Sequence, residues 1–546
     1  MNHMNARPRS CFAREAGRAN FGSPRKLAWV LAVFGCVAQT VTAQTVPQDS
    51  VRFYVRQYSV VGVEHLSQLE VEEAVYPFLG PGRTPNDVEQ ARTALEKAYH
   101  DKGYQTVSVQ IPTQDPNSGV IRLQVVEGKI GRLRVTGASY FLPSRIKEEA
   151  PSLAEGNVPD FAKVKAEILA LNRLPDRTVK PQLRPGVEPG TYDVDLEVED
   201  KLPLHGSLEL NNRYSANTTQ TRLNASISYG NLFQLGHTLG LDFQVAPENP
   251  DDALVYSGYY LARVSDHMSL MLQATKQDSD VSTLGGAAVA GRGEILGLRA
   301  LFDLPGTDDF YQTISLGMDW KSFDEDLTVA GVTGNTPIEY YPISANYGAS
   351  WMRKDSFTQA NLSLNFHLRG MGADQPEFDA KRYQADGSYI YLRGDLSHTR
   401  DLKDGSQLYG KIQGQLSSQP LINSEQLSGG GLGNARGYLE ATALGDNGVF
   451  ATAEYRTRSF IGKKDEKGKQ ADEWRLHAFV DAGTLTVLKP LPSQKSFYDF
   501  LSAGAGTRFR FQDHYNGSLD IAVPFTDQAD AEAGEVRVTF RGWADF

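Results

Sequence analysis

The C-terminal half of the chain is built from segments in which apolar and polar residues alternate. In 223–229, for example, Leu, Ala, Ile and Tyr alternate with Asn and Ser, and the pattern returns at 239–245 and 408–416. A period of two is that of side chains on opposite faces of a β-strand. No capped helical pattern interrupts the region from about His205, so we expect only strands and loops there. Such a region predicts a β-barrel, a β-sandwich or a propeller.

The length and the last segment of this region favour a barrel in a membrane over a soluble sandwich or propeller. A membrane strand needs about 9–11 residues, and roughly 20 residues per strand and connection predict about 16 antiparallel strands. In the final segment VRVTFRGWADF (536–546), one face is apolar and ends on Phe546, whereas Arg537, Thr539 and Arg541 share the other face. Lipid would accept the first face, and a water-filled lumen would accept the second.

The N-terminus has the features of a signal peptide. Six basic side chains precede the apolar run LAWVLAVFGCVA (27–38), and Val-Thr-Ala at 41–43 fits a cleavage site. A lipoprotein site at Cys36 is an alternative with a shorter apolar run. We therefore expect a signal peptide over 1–43 and a short N-terminal segment over 44–51.

Charge and cysteine content exclude several classes of function. Residues 1–43 carry a net charge of +5, so their removal changes the formal charge from −11 to −16. An acidic exported protein is a poor candidate for binding nucleic acid. Both cysteines, Cys11 and Cys36, lie in the expected signal peptide, so the mature chain has no disulfide or thiolate chemistry. No P-loop, catalytic triad or metal-spaced histidine set is recognisable, so we expect no enzyme, no cofactor and no metal.

Two repeated units precede the β-rich region. The segment 58–75 resembles 133–150, with Gly62 and Gly137 in register. Each unit reads strand, helix, helix, strand, strand, as in the helix that starts at the N-cap Thr84. The sequence therefore predicts two small α+β domains, over 52–128 and 129–203, before a barrel over 204–546. A pair of generic domains without a special task is the alternative.

One glycine-rich connection interrupts the barrel region. The segment GGGLGNARGYLEATALGDNGVFATAEYR (429–456) has one arginine, Arg436, within its glycine-rich part and ends in an alternating stretch that predicts a strand. Strand parity then predicts which side chains of the two following strands face the lumen. These are Glu454, Arg456 and Arg458 on the first strand, and His477, Phe479 and Asp481 on the second.

Taken together, these features resemble the two-partner secretion transporters, or TpsB family, of the superfamily that includes BamA. Family members have POTRA domains before a C-terminal barrel, and a long sixth extracellular loop with a V/I-R-G-Y/F motif. Arg436-Gly437-Tyr438 matches this motif, although alanine replaces the branched aliphatic residue before the arginine. Phe479, Asp481 and Gly483 match the F-x-D-x-G element of a neighbouring strand.

The resemblance implies a function and a location. A loop over about 421–448 would fold into the lumen, where Arg436 and Asp481 would form a salt bridge that acts as a latch. Phe546 would be the C-terminal signal for insertion by the barrel-assembly machinery. The POTRA domains would lie in the periplasm and bind a large exoprotein, which the barrel would secrete across the bacterial outer membrane. Some members carry an N-terminal plug helix, which 44–51 is too short to form. A BamA-like assembly factor and a passive porin are the alternatives.

Overall fold

The computed structural model describes residues 52–279, 281–282, 289–290, 292–324, 326–329, 332–462, 472–492 and 494–546. The expected signal peptide, the segment 44–51 and both cysteines lie outside the described residues. The described residues form two compact units, and the boundary between the two units in the sequence lies between Leu202 and Pro203.

The first unit begins with a three-stranded sheet covered by two helices. Its sheet order is β2-β5-β4, in which β2 and β5 are parallel and β4 is antiparallel to β5. Helix α2 begins at a capping box between Thr84 and Asp87, and its buried residues include Leu95 and Tyr99. Its elements are β1 (Phe53–Val55), β2 (Gln57–Val61), α1 (Gln68–Val75), β3 (Gly80–Arg83), α2 (Pro85–Asp101), β4 (Val107–Gln110) and β5 (Val120–Glu127).

The same unit continues with a second sheet of matching order. Strand β8 is central, parallel to β6 and antiparallel to β7. Its own apolar core includes Ile146, Leu171 and Leu196. The elements are β6 (Lys129–Thr136), α3 (Pro143–Glu148), α4 (Phe161–Leu171), β7 (Arg177–Pro185) and β8 (Thr191–Asp200).

The second unit is a closed antiparallel barrel, and the described residues form its sixteen strands, one of them broken into β20 and β21. The wall contains β9 (Leu204–Asn211), β10 (Arg222–Leu232), β11 (His237–Val245), β12 (Leu254–Ser265), β13 (Met268–Asp278), β16 (Gly293–Asp303), β17 (Phe310–Phe323), β20 (Ile338–Tyr340), β21 (Ile343–Arg353), β22 (Ser356–His367), β23 (Tyr389–Asp401), β24 (Gln407–Ser417), β27 (Asn447–Arg456), β28 (Glu473–Thr486), β29 (Phe497–Phe511), β30 (Tyr515–Pro524) and β31 (Arg537–Asp545). Short hairpins outside the wall are β14 (Val281–Ser282) with β15 (Val289–Ala290), β18 (Asp326–Val329) with β19 (Val332–Asn335), and β25 (Leu427–Gly429) with β26 (Ala443–Gly445).

The barrel closes where its last strand meets its first. Five residue pairs join β31 to β9, from Arg541 opposite Asn211 to Asp545 opposite Ser207. Short turns such as 266–267 lie at one end of the wall, and long loops lie at the other. Because outer-membrane barrels have short periplasmic turns and longer extracellular loops, this pattern orients the barrel in the membrane.

The expectation that no helix interrupts the barrel region is wrong at one place. Helix α5 (Gln375–Lys381) lies in the loop between β22 and β23, and a capping box of Asp374 and Glu377 starts it. Its Phe378 is fully buried among aromatic side chains that include Tyr340 and Tyr389. Among the described residues, none of the helices combines the length and apolar character that crossing a membrane requires.

Candidate functional site

The site is built around the loop between β24 and β27, the sixth of the long loops. The hairpin β25–β26 pairs Leu427 with Gly445 and Gly429 with Ala443, and the chain between these strands carries the Arg-Gly-Tyr motif. Gly437 has a φ of +97°, a left-handed conformation that glycine adopts without a Cβ penalty. The reversed backbone there lets Arg436 and Tyr438 contact different parts of the wall.

Arg436 makes a bidentate ion pair with Asp481 of β28. Its Nε lies 2.8 Å from Oδ2 and its Nη2 lies 3.0 Å from Oδ1. The backbone nitrogen of Arg436 also donates to Oδ2, at 3.1 Å. Only 5% of Arg436 and 1% of Asp481 are exposed, so the charges are desolvated and depend on each other.

Two further groups complete the surroundings of this guanidinium. Its Nη1 lies 2.8 Å from Oε2 of Glu454 on β27. The carbon of the guanidinium lies 3.4 Å from the centre of the Phe479 ring, a cation–π geometry. Charge, hydrogen-bond direction and stacking therefore all select arginine at this position.

The site extends into a wider cluster of alternating charges on the wall. Arg456 Nε and Arg508 Nη2 lie 2.7 and 3.1 Å from Oε1 of Glu454. His477 Nε2 lies 2.5 Å from Oδ1 of Asp520 on β30, and this oxygen lies 3.6 Å from Arg436 Nη1. Three carboxylates thus face three guanidinium groups and one imidazole.

Tyr438 holds the other side of the motif. Its hydroxyl group lies 2.7 Å from Thr526 Oγ1, 3.0 Å from the Thr526 carbonyl oxygen and 3.1 Å from that of Leu501. Its ring packs edge-on against Phe500 in the buried cluster below the loop. The tyrosine therefore ties the loop to β29 and to the end of β30.

The remaining predicted residues are placed as follows. Gly483 lies on β28 against Phe450, with no space for a Cβ between them. Phe546 packs its ring on Gly206, and the two backbones exchange hydrogen bonds of 3.0 Å. Strand β27 ends at Arg456, so Arg458 lies past its end and is exposed rather than within the buried cluster.

Sequence reasoning missed Asp520 and Arg508. Asp520 lies on β30 between Leu519 and Ile521, and Arg508 lies on β29 between Thr507 and Phe509. Parity alone would have predicted both side chains to face inward. Their contact with Arg436 and Glu454 required the strand order and register.

One group of described residues outside the barrel has the spacing of a metal site: Glu64, His65 and Glu127. Glu127 already accepts from the backbone nitrogens of Glu64 and His65, at 2.8 and 3.1 Å, and from the Tyr99 hydroxyl, at 2.7 Å. Burial alone would raise the pKa of Glu127, but these hydrogen bonds outweigh burial and lower it. The group has the geometry of a structural cap on the loop after β2.

Two family models match the chain in the regions described above. The POTRA domain of ShlB type matches residues 53–128. The haemolysin secretion/activation protein model ShlB/FhaC/HecB matches residues 340–509, which contain Arg436 and Asp481. The fold and these matches define an outer-membrane transporter, a sixteen-stranded barrel with a periplasmic POTRA domain.

Within that class, residues 340–509 are similar to the ShlB/FhaC/HecB family of haemolysin secretion/activation proteins. The chain is 22% identical to the outer membrane transporter CdiB of Dickeya dadantii, over 67% of this chain and 66% of that protein. It is 27% identical to CdiB of Escherichia coli, over 74% and 68% of the two chains. The aligned regions thus span about two thirds of the length of these relatives.

A solved structure has the same fold. CdiB from Escherichia coli matches with a TM-score of 0.60 and 20% identity, and the match covers 93% of each chain.

Proposed function

We propose that this protein secretes a large partner exoprotein across the outer membrane and that Arg436 and Asp481 act as the latch of the process. The observation that carries the proposal is the buried, bidentate pair between a loop arginine and a wall aspartate inside a closed barrel. A loop held this way occupies part of the lumen and has to yield when a client passes. The similarity to relatives named as outer membrane and hemolysin transporters supports this function.

The two α+β repeats are tandem POTRA domains that bind the unfolded client in the periplasm. A local structure that both repeats share supports the assignment of the two repeats to one type of domain. Gly62 and Gly137 both have positive φ, and a Cβ on them would lie 2.5 and 2.4 Å from the carbonyl oxygens of Val125 and Val198. In both repeats, a carboxylate at the end of the last strand then accepts hydrogen bonds from backbone nitrogens just after this glycine. These carboxylates are Glu127 and Asp200.

Sheet edges in these domains suit an extended client. Each sheet has one central strand and two edges, and an edge offers unpaired backbone groups to an added strand. The client then threads the barrel and folds outside, where burial of its own core makes export effectively one-way.

The wall itself contacts outer-membrane lipid, and the barrel-assembly machinery inserts it. Large apolar side chains on the outer faces of the strands support the lipid contact, among them Leu241, Leu298 and Leu316, each more than half exposed. Phe546 ends the strand that the assembly machinery recognises.

The test begins with the exoproteins of a deletion strain. We expect one large surface or secreted protein to be missing and to return when the wild-type gene is restored. Missing outer-membrane barrels would instead indicate a BamA-like assembly factor. Unchanged exoproteins and barrels would indicate a passive porin.

The latch is tested in the same strain with R436A and R436K. We expect secretion to fall at least tenfold in both, because alanine leaves the buried carboxylate of Asp481 without its cation, and lysine cannot make the bidentate and stacked contacts. The shift of the folded barrel in unheated gels should stay normal. R458A is the matched control, because this arginine is exposed, and it should secrete like wild type. Wild-type secretion by R436A would rule out the latch.

A further inference from the structure

The sixth loop has another buried ion pair, at the seam between the first and last strands of the barrel. Arg213 follows β9, and its Nε lies 2.7 Å from Oε1 of Glu440, four residues after Arg436 in the loop. The two side chains are only 7% and 4% exposed. This pair lies outside the sequence motifs, and its partners are 227 residues apart.

Backbone contacts strengthen this connection. The nitrogen of Glu440 donates to the carbonyl oxygen of Tyr214, at 3.0 Å. Glu440 Oε1 also accepts from the nitrogen of Leu432 within the loop, at 3.2 Å. One carboxylate therefore holds the loop in shape and fastens it to the segment after the first strand.

The seam needs such support because its ladder is incomplete. Strand β9 ends at Asn211, opposite Arg541, whereas β31 begins at Arg537. Beyond the last paired residue of β9, the side chain of Asn212 makes hydrogen bonds to β31 like those that a continuing strand would make. Its Oδ1 accepts from the nitrogen of Phe540 at 2.7 Å, and its Nδ2 donates to the carbonyl oxygen of Val538 at 2.8 Å. The side chain of Asn212, together with its backbone nitrogen, which donates to the Phe540 carbonyl oxygen at 3.3 Å, thus closes this part, directly beside Arg213.

The loop also reaches the last strand from its other side. Thr442 Oγ1 lies 3.2 Å from Oδ2 of Asp530, and the carbonyl oxygen of Asp530 accepts from Arg537 of β31 at 3.3 Å. Residues 440–442 therefore bridge both strands of the seam.

We propose that Arg213 and Glu440 form a second anchor, which couples the position of the sixth loop to closure of the seam. If the loop moves, as the proposed transport function requires, the upper end of β9 loses its support. Arg213 and Glu440 are thus positioning residues, and the seam is the part of the wall that responds to the loop.

The test measures hydrogen exchange at the seam of the full-length protein in lipid nanodiscs. In R213A and in E440A, we expect the amides of 204–211 and 541–545 to exchange about tenfold faster or more, because each change leaves a buried charge unpaired and removes the link. The double variant should exchange no faster than the faster single variant, since both remove one interaction.

R299A is the matched control. It breaks a wall pair in which both side chains are 11% exposed, with Asp319 at 2.8 Å, on strands distant from the seam in the barrel order. Its seam amides should exchange as in wild type. If E440A fails to fold, E440Q keeps an acceptor for Arg213 and should give a smaller acceleration.

The proposal would be overturned if the seam amides of R213A and of E440A, or of E440Q in its place, exchanged within twofold of the wild-type rate. It would also be overturned if the effects of the two single substitutions on the exchange rate added in the double variant. The measurement needs no client, so its outcome is separate from that of the secretion experiment.

Discussion

The buried guanidinium of Arg436 has a specific carboxylate neighbour for each of its three nitrogens. Arg436 contacts two carboxylates and an aromatic ring, and no other residue type could satisfy all three at once. The same principle holds outside the barrel, where Glu127 accepts from two backbone nitrogens and a tyrosine hydroxyl.

The Glu127 carboxylate predicts a pH dependence of the first repeat. Its pKa in the folded state is lowered, so its contribution to the free energy of unfolding is complete above the unfolded pKa of about 4.3 and is lost as the pH falls through the folded pKa. E127Q lacks this titration. We therefore expect the stability difference between wild type and E127Q to shrink as the pH falls below about pH 4.3.

Hydrogen exchange of peptides from α2 and β5 in the full-length protein measures this difference. Burial and the hydrogen bond to Glu127 raise the pKa of the Tyr99 hydroxyl group. This hydroxyl group therefore stays protonated throughout this pH range. A stability difference that does not change with pH would mean that the carboxylate charge contributes nothing to the cap.

At the scale of elements, each small domain depends on a glycine directly after the first strand of its three-stranded sheet. Gly137 has φ +83°, and the carbonyl oxygen of Val198 lies where a Cβ would be. This close approach joins the first strand to the last, and the same contact recurs between Gly62 and Val125. The repeat in the sequence thus reflects one shared structural constraint.

G137A should therefore destabilise the second repeat by about 1–2 kcal/mol from the backbone conformation and about 1–3 kcal/mol more from the clash. Gly156 offers a matched control, because its φ is +89° and nothing lies within 4 Å of a built Cβ. G156A should show only the first of these costs. Hydrogen exchange in β6 and β8 of the full-length protein provides the comparison, and equal effects of the two variants would exclude the clash.

Helix α5 shows the limits of pattern reading at this scale. It has a capping box of Asp374 and Glu377 and a proline in its first turn, but it spans only seven residues. So short a helix is stable because tertiary packing buries Phe378, and local sequence carries little information about that burial.

At the scale of the whole molecule, closure of the barrel brings the C-terminal residue to the start of the first strand. Phe546 and Gly206 exchange backbone hydrogen bonds, and the ring of Phe546 covers the glycine. The last residue is therefore part of the structure as well as a proposed recognition signal.

F546A should lower the amount of folded barrel in the outer membrane several-fold, because it removes both the ring contact and the proposed signal. The heat-dependent gel shift of membrane fractions measures this amount. F525A removes an exposed phenylalanine from a loop and should leave the amount unchanged. A normal level of folded F546A barrel would contradict both roles of the ring.

The sequence by itself determined the features that repeat over short distances. Alternation along each strand predicts the barrel, and the length of the region predicts its strand number, which the structure confirms at sixteen. The repeat of Gly62 and Gly137 predicts two α+β domains, and parity predicts inward positions for Glu454, His477 and Asp481. These properties follow from the geometry of one strand or helix, so neighbouring residues are enough to reveal them.

Only the tertiary structure decided which inward charges meet. Asp520 with His477, and Arg213 with Glu440, come from elements separated by 43 and 227 residues. Their contacts depend on the order and register of the strands and on the path of a glycine-rich loop, whose flexible backbone has no period to read. A buried charge is stable only beside its partner, and the closed wall determines which partner lies within reach.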